Sequence, residues 1–272
     1  MLVLTLLGAC RADEPVQASP RPSAPVKPTV EAMVATPALL VAAAAQPPAG
    51  GFTMTGKARM ALEEKAAVIE SLDEETRLER TAAGVLHGVY GNSRDHGREF
   101  FADGTTLWIR PRFGKFHRRP LGGPDEAPRL VAETWGTLAA QLELVLAGCT
   151  LEHGGHRVTL ARGDGKLAGA GWREGARLES VSGVLELDDD GVLVSGRLDA
   201  VVVFRRDGKP LTMRLFAEQS RGPAAAAVTL PAEEDSAPTP VVSTEFADRA
   251  WLLSGIAPPP RKSPAPPGKD TP

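Results

Sequence analysis

The chain has 272 residues and a formal net charge of −3, with 31 Lys and Arg against 34 Asp and Glu. It therefore lacks the basic excess that a nucleic-acid binder brings to its partner, and no nucleic-acid partner is expected. Two cysteines, Cys10 and Cys149, are too few for a disulfide framework, and no stretch approaches the roughly 20 apolar residues of a membrane-spanning helix. The 24 prolines and 28 glycines are unevenly spread, so the foldable part is shorter than the chain and reads as one domain.

An apolar run from Leu2 to Leu7 opens the sequence, and Leu7-Gly8-Ala9-Cys10 closes it with two small residues before a cysteine. This resembles the lipobox of bacterial lipoproteins. The resemblance implies cleavage before Cys10, a diacylglyceryl group on its thiol and thus a membrane partner through a lipid anchor. Two or more acyl chains suffice for stable anchoring where one does not. Arg11, standing where an acidic residue could stand, implies sorting to the outer membrane of a Gram-negative envelope, facing the periplasm. No Lys or Arg precedes the run, and it is short for a secretory core, so residues 1–9 read as a truncated signal peptide. Residues 10–50 follow as the lipidated cysteine and a Pro/Ala-rich tether, as in Ser19-Pro20-Arg21-Pro22 and Gln46-Pro47-Pro48-Ala49-Gly50. Proline removes hydrogen-bond donors and favours extended polyproline II. Pro37 to Ala45 has the composition of a transient helix, but disorder throughout is the expectation.

Order is expected from Phe52. Phe52, Met54, Gly56, Ala58 and Met60 alternate with Thr53, Thr55, Lys57 and Arg59, the pattern of a half-buried strand. Ala61 to Glu79 reads as a short helix with Leu62, Ala66, Ile69 and Leu72 near one face, or as a continued meander of charged strands. Glu99-Phe100-Phe101-Ala102, Asp103-Gly104 and Leu107-Trp108-Ile109 form a hairpin. Its arm continues from Arg110 to Arg119 with cations between aromatics, a solvated face or an anionic contact. Arg129 to Gly148 is the helix candidate, with Leu130, Thr134, Leu138, Leu142 and Val145 at spacings of three and four. Val158 to Leu160 and Gly169 to Trp172 read as strands. Leu178 to Ser220 is a β-meander turning at Asp190-Gly191 and Asp207-Gly208, with Leu185, Leu187, Leu198, Ala200, Val202, Leu211, Met213 and Leu215 on one face. Residues 51–230 thus form a β-rich domain. Residues 231–272 are a Pro-rich, mostly disordered tail interrupted by the amphipathic patch Phe246 to Leu253.

No motif carries chemistry. His153-Gly154-Gly155-His156 is the one close histidine pair and lacks the further ligands a zinc site needs. Asp188-Asp189-Asp190 suits a hairpin tip better than a calcium loop. Asp95, His96 and Glu99 lie close in sequence, but nothing there orients them as an acid-base group. Cys149 reads as a buried, inert thiol. Neither enzyme activity, a metal nor a cofactor is expected.

Three stretches carry a resemblance of architecture: Phe52-Thr53-Met54-Thr55-Gly56-Lys57-Ala58-Arg59, Phe101-Ala102-Asp103-Gly104-Thr105-Thr106-Leu107-Trp108, and Gly183-Val184-Leu185-Glu186-Leu187-Asp188. Together with the lipobox and tether, the domain resembles the lipoprotein-carrier (LolA-like) superfamily. The resemblance implies a mainly β fold with a minor helical part: a curved antiparallel sheet, or unclosed half-barrel, packed on one long helix. It also implies a non-enzymatic cavity protein of the cell envelope whose partner is a lipid or acylated ligand. The candidate ligand residues are Phe52, Met54, Met60, Trp108, Leu138, Leu142, Ala200, Val202 and Met213. A packed half-barrel that engages an envelope protein is the alternative.

Overall fold

The computed structural model describes residues 29–167, 173–232 and 247–254. Within these residues eleven strands form a single antiparallel sheet. They are β1 (Phe52–Glu64), β2 (Ala67–Arg80), β3 (Leu86–Asn92), β4 (Gly97–Ala102), β5 (Thr106–Pro111), β6 (His117–Pro120), β7 (Cys149–Gly154), β8 (Arg157–Arg162), β9 (Glu174–Leu187), β10 (Leu193–Arg206) and β11 (Lys209–Gly222). The spatial order is β6-β5-β4-β3-β2-β1-β11-β10-β9-β8-β7. Two meanders, β1 to β6 and β7 to β11, are therefore sewn together where the first strand pairs with the last, Ala58 opposite Ala217. Among the described residues β6 and β7 are the two edges, which makes the sheet an unclosed half-barrel.

The meander read from Leu178 to Ser220 is present as β9, β10 and β11, and Asp207 and Gly208 turn it with φ of 53° and 75°. Two-residue hairpins prefer such mirror-image turns because their twist matches that of the strands. The alternatives for Ala61 to Glu79 resolve in favour of strand. β1 runs on to Glu64, Lys65 and Ala66 take φ of 51° and 65°, and β2 returns antiparallel. The helical reading fails because its proposed face is split: Leu62 and Leu72 are buried while Ile69 is exposed. Along β2 it is Leu72, Glu74, Thr76 and Leu78 that turn inward, at period two.

The chain crosses from edge strand β6 to edge strand β7 by α3 (Glu126–Trp135) and α4 (Thr137–Val145), followed by one 3₁₀ turn, Leu146–Gly148. The single long helix expected here is broken at Gly136. Glycine costs a helix interior about 1 kcal/mol relative to alanine, and the break turns the Thr137 hydroxyl to accept from Arg249 Nη2. β10 admits α4 closely at Gly196, where a Cβ would stand 2.6 Å from Leu138 Cδ2.

Two further expectations are corrected. Residues 30–45, assigned to the disordered tether, form α1 (Val30–Ala35) and α2 (Pro37–Ala45). Thr29 caps α1 by accepting from the Ala32 amide, Pro37 opens α2, and α2 packs on α4 and β10. The amphipathic patch in the tail forms α5 (Ala247–Ser254), whose Leu252 and Leu253 are buried in the main core. The expected strand Gly169 to Trp172, the lipobox at Cys10 and most of the Pro-rich tail lie outside the described residues.

The described helices serve one face of the sheet, and the core there has two parts. The larger gathers β9 to β11 and the far half of β1 under α1, α2, α4 and α5. The smaller gathers Phe52, Met54, Leu78, Leu86, Phe100, Leu107 and Ile109 under Leu130, Val131 and Trp135 of α3.

Candidate functional site

The nine residues expected to line a cavity fall into three clusters. Met60, Leu138, Leu142, Ala200, Val202 and Met213 meet in the larger core and are fully packed. Met33, Leu40, Ala43 and Ala44 from α1 and α2 occupy the same cluster. One helix is only about 10 Å wide against strands about 4.8 Å apart, so the sheet needed further cover. The chain's own N-terminal helices supply it, packing against these side chains. Phe52 and Met54 belong to the smaller core. Trp108 faces the opposite side of the sheet, where it packs with Phe101 and Phe116 while Leu107 and Ile109 point into the core.

An open space remains at one end of the half-barrel, beside the smaller core. It is a groove of about 780 Å³ between the segment Gln46 to Ala49 that leaves α2, the first turns of α3, and the ends of the hairpins near Gly84 and Gly104. Phe52 is the one residue of the expected set that reaches it. Leu86, Ala102, Leu121 and Val131 supply apolar walls, with Arg80 among them. The tether reading hid this site, since Pro47 and Pro48 were taken for solvated linker. The signal for Arg80 was in the sequence: it continues the inward parity of Leu72 and Leu78. A second hollow of about 660 Å³, on the sheet face away from the helices, has Thr55, Lys57, Arg77, His87, Val89, Val184 and Ser220 in its walls.

α3 is anchored beside the groove by Glu126. Its carboxylate accepts from Arg119 Nη1 at 3.0 Å and from Arg119 Nη2, and from the Gly122 amide at 2.7 Å. The Arg119 hydrogen bonds outweigh burial and hold its pKa down at about 2, against 4.5 unperturbed. A carboxyl with a depressed folded-state pKa contributes stability that is present above 4.5 and lost as the pH falls from there through 2. The Arg119 side chain is 40 % exposed, so screening reduces the effect to about 1 kcal/mol. Thermal melts at pH 6 and pH 2.5 are expected to differ less in Glu126→Gln than in the parent, and equal differences would remove Glu126 as a source.

The candidate acid-base group is dispersed. His96 Nδ1 lies 2.6 Å from Asp248 Oδ2, Glu99 accepts from Arg110 and meets His87, and Asp95 stands 3.8 Å from Arg112. His87 bridges Glu79 and Glu99 and stacks on Phe101 with centroids 4.2 Å apart. His156, in the turn between β7 and β8, lies 3.2 Å from Asp189, in the turn between β9 and β10. No group of three metal-ligating side chains occurs among the described residues. Cys149 is half-buried, donates its thiol to the Val145 carbonyl and is pushed up to about 11 by burial, which leaves it protonated near neutrality.

No described protein family matches the sequence, and no curated protein does. Among solved structures the chain is similar to a DUF1329 family protein from Desulfovibrio piger, at 9 % identity over 70 % of this chain and 93 % of that one, with a TM-score of 0.22. It is similar to a putative outer membrane lipoprotein-sorting protein domain from Vibrio parahaemolyticus, at 10 % identity over 66 % and 89 %, TM-score 0.20. A LolA superfamily protein from Nitrosomonas europaea gives 10 % identity over 71 % and 93 %, TM-score 0.21. At such identities and scores the groove has to be read from its own chemistry.

The densest polar cluster lies at α5 and holds that helix to the sheet. Glu74, inward-facing on β2 and 1 % exposed, accepts from Arg249 Nε at 3.0 and 2.9 Å and from the Tyr90 hydroxyl at 2.6 Å. Burial first, then the Glu74 charge, push the Tyr90 phenol up, so it stays a donor. Arg94 donates to Asp248 at 2.7 Å and to Glu70 at 2.9 Å. Burial raises the Asp248 pKa, but hydrogen bonds from His96 and Arg94 outweigh it and leave it lowered. Every one of these groups is matched to another protein group, which marks the cluster as structural.

Proposed function

We propose that the protein is a non-enzymatic module that binds a lipid, an acyl chain or another apolar ligand in the groove at Phe52, and that a lipidated Cys10 tethers it to the cell envelope. The observation that carries the first part is a space of about 780 Å³ with Phe52, Leu86, Ala102, Leu121 and Val131 in its walls, inside the range of about 300–1,000 Å³ for small-molecule sites. An apolar ligand moved from water against such walls gains about 25 cal/mol per Å² of its own apolar surface. The second part rests on Leu7-Gly8-Ala9-Cys10.

An environment-sensitive apolar dye is expected to bind the folded protein saturably. Ala127, half-buried at the groove wall, is the position to block it. Ala127→Trp is expected to weaken the dye at least tenfold while leaving the unfolding midpoint nearly unchanged. Ala200→Trp and Met213→Trp would instead overpack a filled core and lower stability by about 1–3 kcal/mol. A folded protein that takes up neither dye nor lipid would be a packed module for an envelope protein. Cys10→Ser is expected to move the protein from the membrane to the soluble fraction, and unchanged membrane association would refute the anchor.

A further inference from the structure

The register of the sheet puts a cation inside the apolar groove. Arg80, the last residue of β2, pairs across to Phe52 on β1 and to Leu86 on β3, and both of those neighbours are buried on the helix side. Cross-strand partners share a face, so the Arg80 side chain also points to the helix side, and it lines the groove. No carboxylate lines that space, and Arg80 is the one charged residue among the described residues that do. Its Nε is buried without a hydrogen-bond partner, and its guanidinium makes no ion pair or hydrogen bond among the described residues.

Other half-buried arginines of this protein are matched. Arg94 meets Asp248 and Glu70, and Arg221 meets Asp188. A guanidinium drawn part-way out of water is costly unless an anion takes its place in the hydrogen-bonding scheme. Arginine is suited to that role because its planar fork accepts a carboxylate or phosphate in a bidentate manner. The way in is open: Gly84, Gly104 and Gly123 border the groove, and at each of them the position of a Cβ has no atom within 4 Å.

We infer that the groove takes a single-chain amphiphile with an anionic headgroup, its alkyl chain along Phe52, Leu86, Ala102 and Val131 and its head on the Arg80 guanidinium. This rests on the apolar-ligand reading above and adds the chemical class of the ligand. Two consequences can be measured. Each methylene that enters the groove contributes about 0.8 kcal/mol, a factor of about four in affinity. The charge-assisted headgroup bond contributes about 1.5–3 kcal/mol, a factor of about 10 to 150.

The experiment uses the full chain and displacement of the dye by monomeric dodecanoate, dodecyl phosphate and dodecan-1-ol. The two anions are expected to bind at least tenfold more tightly than the alcohol. Arg80→Gln is expected to bring the anions down to the level of the alcohol while leaving the alcohol's affinity unchanged, and Arg80→Lys is expected to give an intermediate ratio. Circular dichroism and the thermal midpoint establish that each variant is folded; if Arg80→Gln is not, the parent ratio and the lysine variant decide. If anions and alcohol bind alike in the parent, or if Arg80→Gln leaves their ratio intact, the headgroup inference is wrong and the apolar groove stands. If neither amphiphile displaces the dye, the groove reading falls and the headgroup falls with it. Association only with phosphatidylglycerol vesicles, never with monomers, would make this a membrane contact and would also overturn the inference.

Discussion

Arg249→Ala is expected to lower the unfolding free energy by about 3–5 kcal/mol, because it strips the cation from Glu74 and leaves a carboxylate buried on the core side of β2. Glu74 would retain only the Tyr90 hydroxyl at 2.6 Å, and Thr137 at the start of α4 would lose its donor. A double variant, Glu74→Leu with Arg249→Leu, is expected to cost less than Arg249→Ala alone, since no orphan charge remains. Urea unfolding of the three proteins measures both quantities. An Arg249→Ala loss below about 1 kcal/mol, the range of an exposed ion pair, would mean that α5 is not seated on the sheet. The same seat predicts that a proteolytic fragment ending near residue 230 is less stable than the full chain. Leu252 and Leu253 leave the core with it.

Leu40→Ala is expected to cost about 2–5 kcal/mol, as truncations of fully buried leucines do. Leu40 is 1 % exposed and lies in one cluster with Leu138, Leu142 and Met213. A tether of mobile chain would show no such loss, so the substitution separates a segment that merely spaces the domain from one that completes it. Gln219 Nε2 donates to the Ala44 carbonyl at 3.2 Å, which ties the end of α2 to β11. A Leu40→Ala protein with the parent's unfolding midpoint would return residues 30–45 to the linker.

What could be read from the sequence was whatever depends on near neighbours. Alternation of apolar and polar residues fixes which side of a strand is buried, and a pair such as Asp207-Gly208 accepts positive φ; neither needs knowledge of a distant partner. The meander β9 to β11, the strand at Phe52, the hairpin at Asp103-Gly104 and the class of the fold were therefore legible. Asp95, His96 and Glu99 carry no spacing that would hold them together, and in the fold each turns to a different partner. The tertiary structure decided what covers the sheet. Pro37-Ala38-Leu39-Leu40 has too little periodicity to declare a face, and a nine-residue helix does not hold itself up in water; only the exposed breadth of β10 and the flank of α4 make it stable. The candidate ligand residues fall into three separate clusters for the same reason. Inward parity says that Ala200, Val202 and Met213 face the helices, but whether the space above them is empty depends on chain more than 150 residues away. Arg80 shows the converse: its parity was legible, yet its meaning depends on which anions fold to within reach, and among the described residues none does.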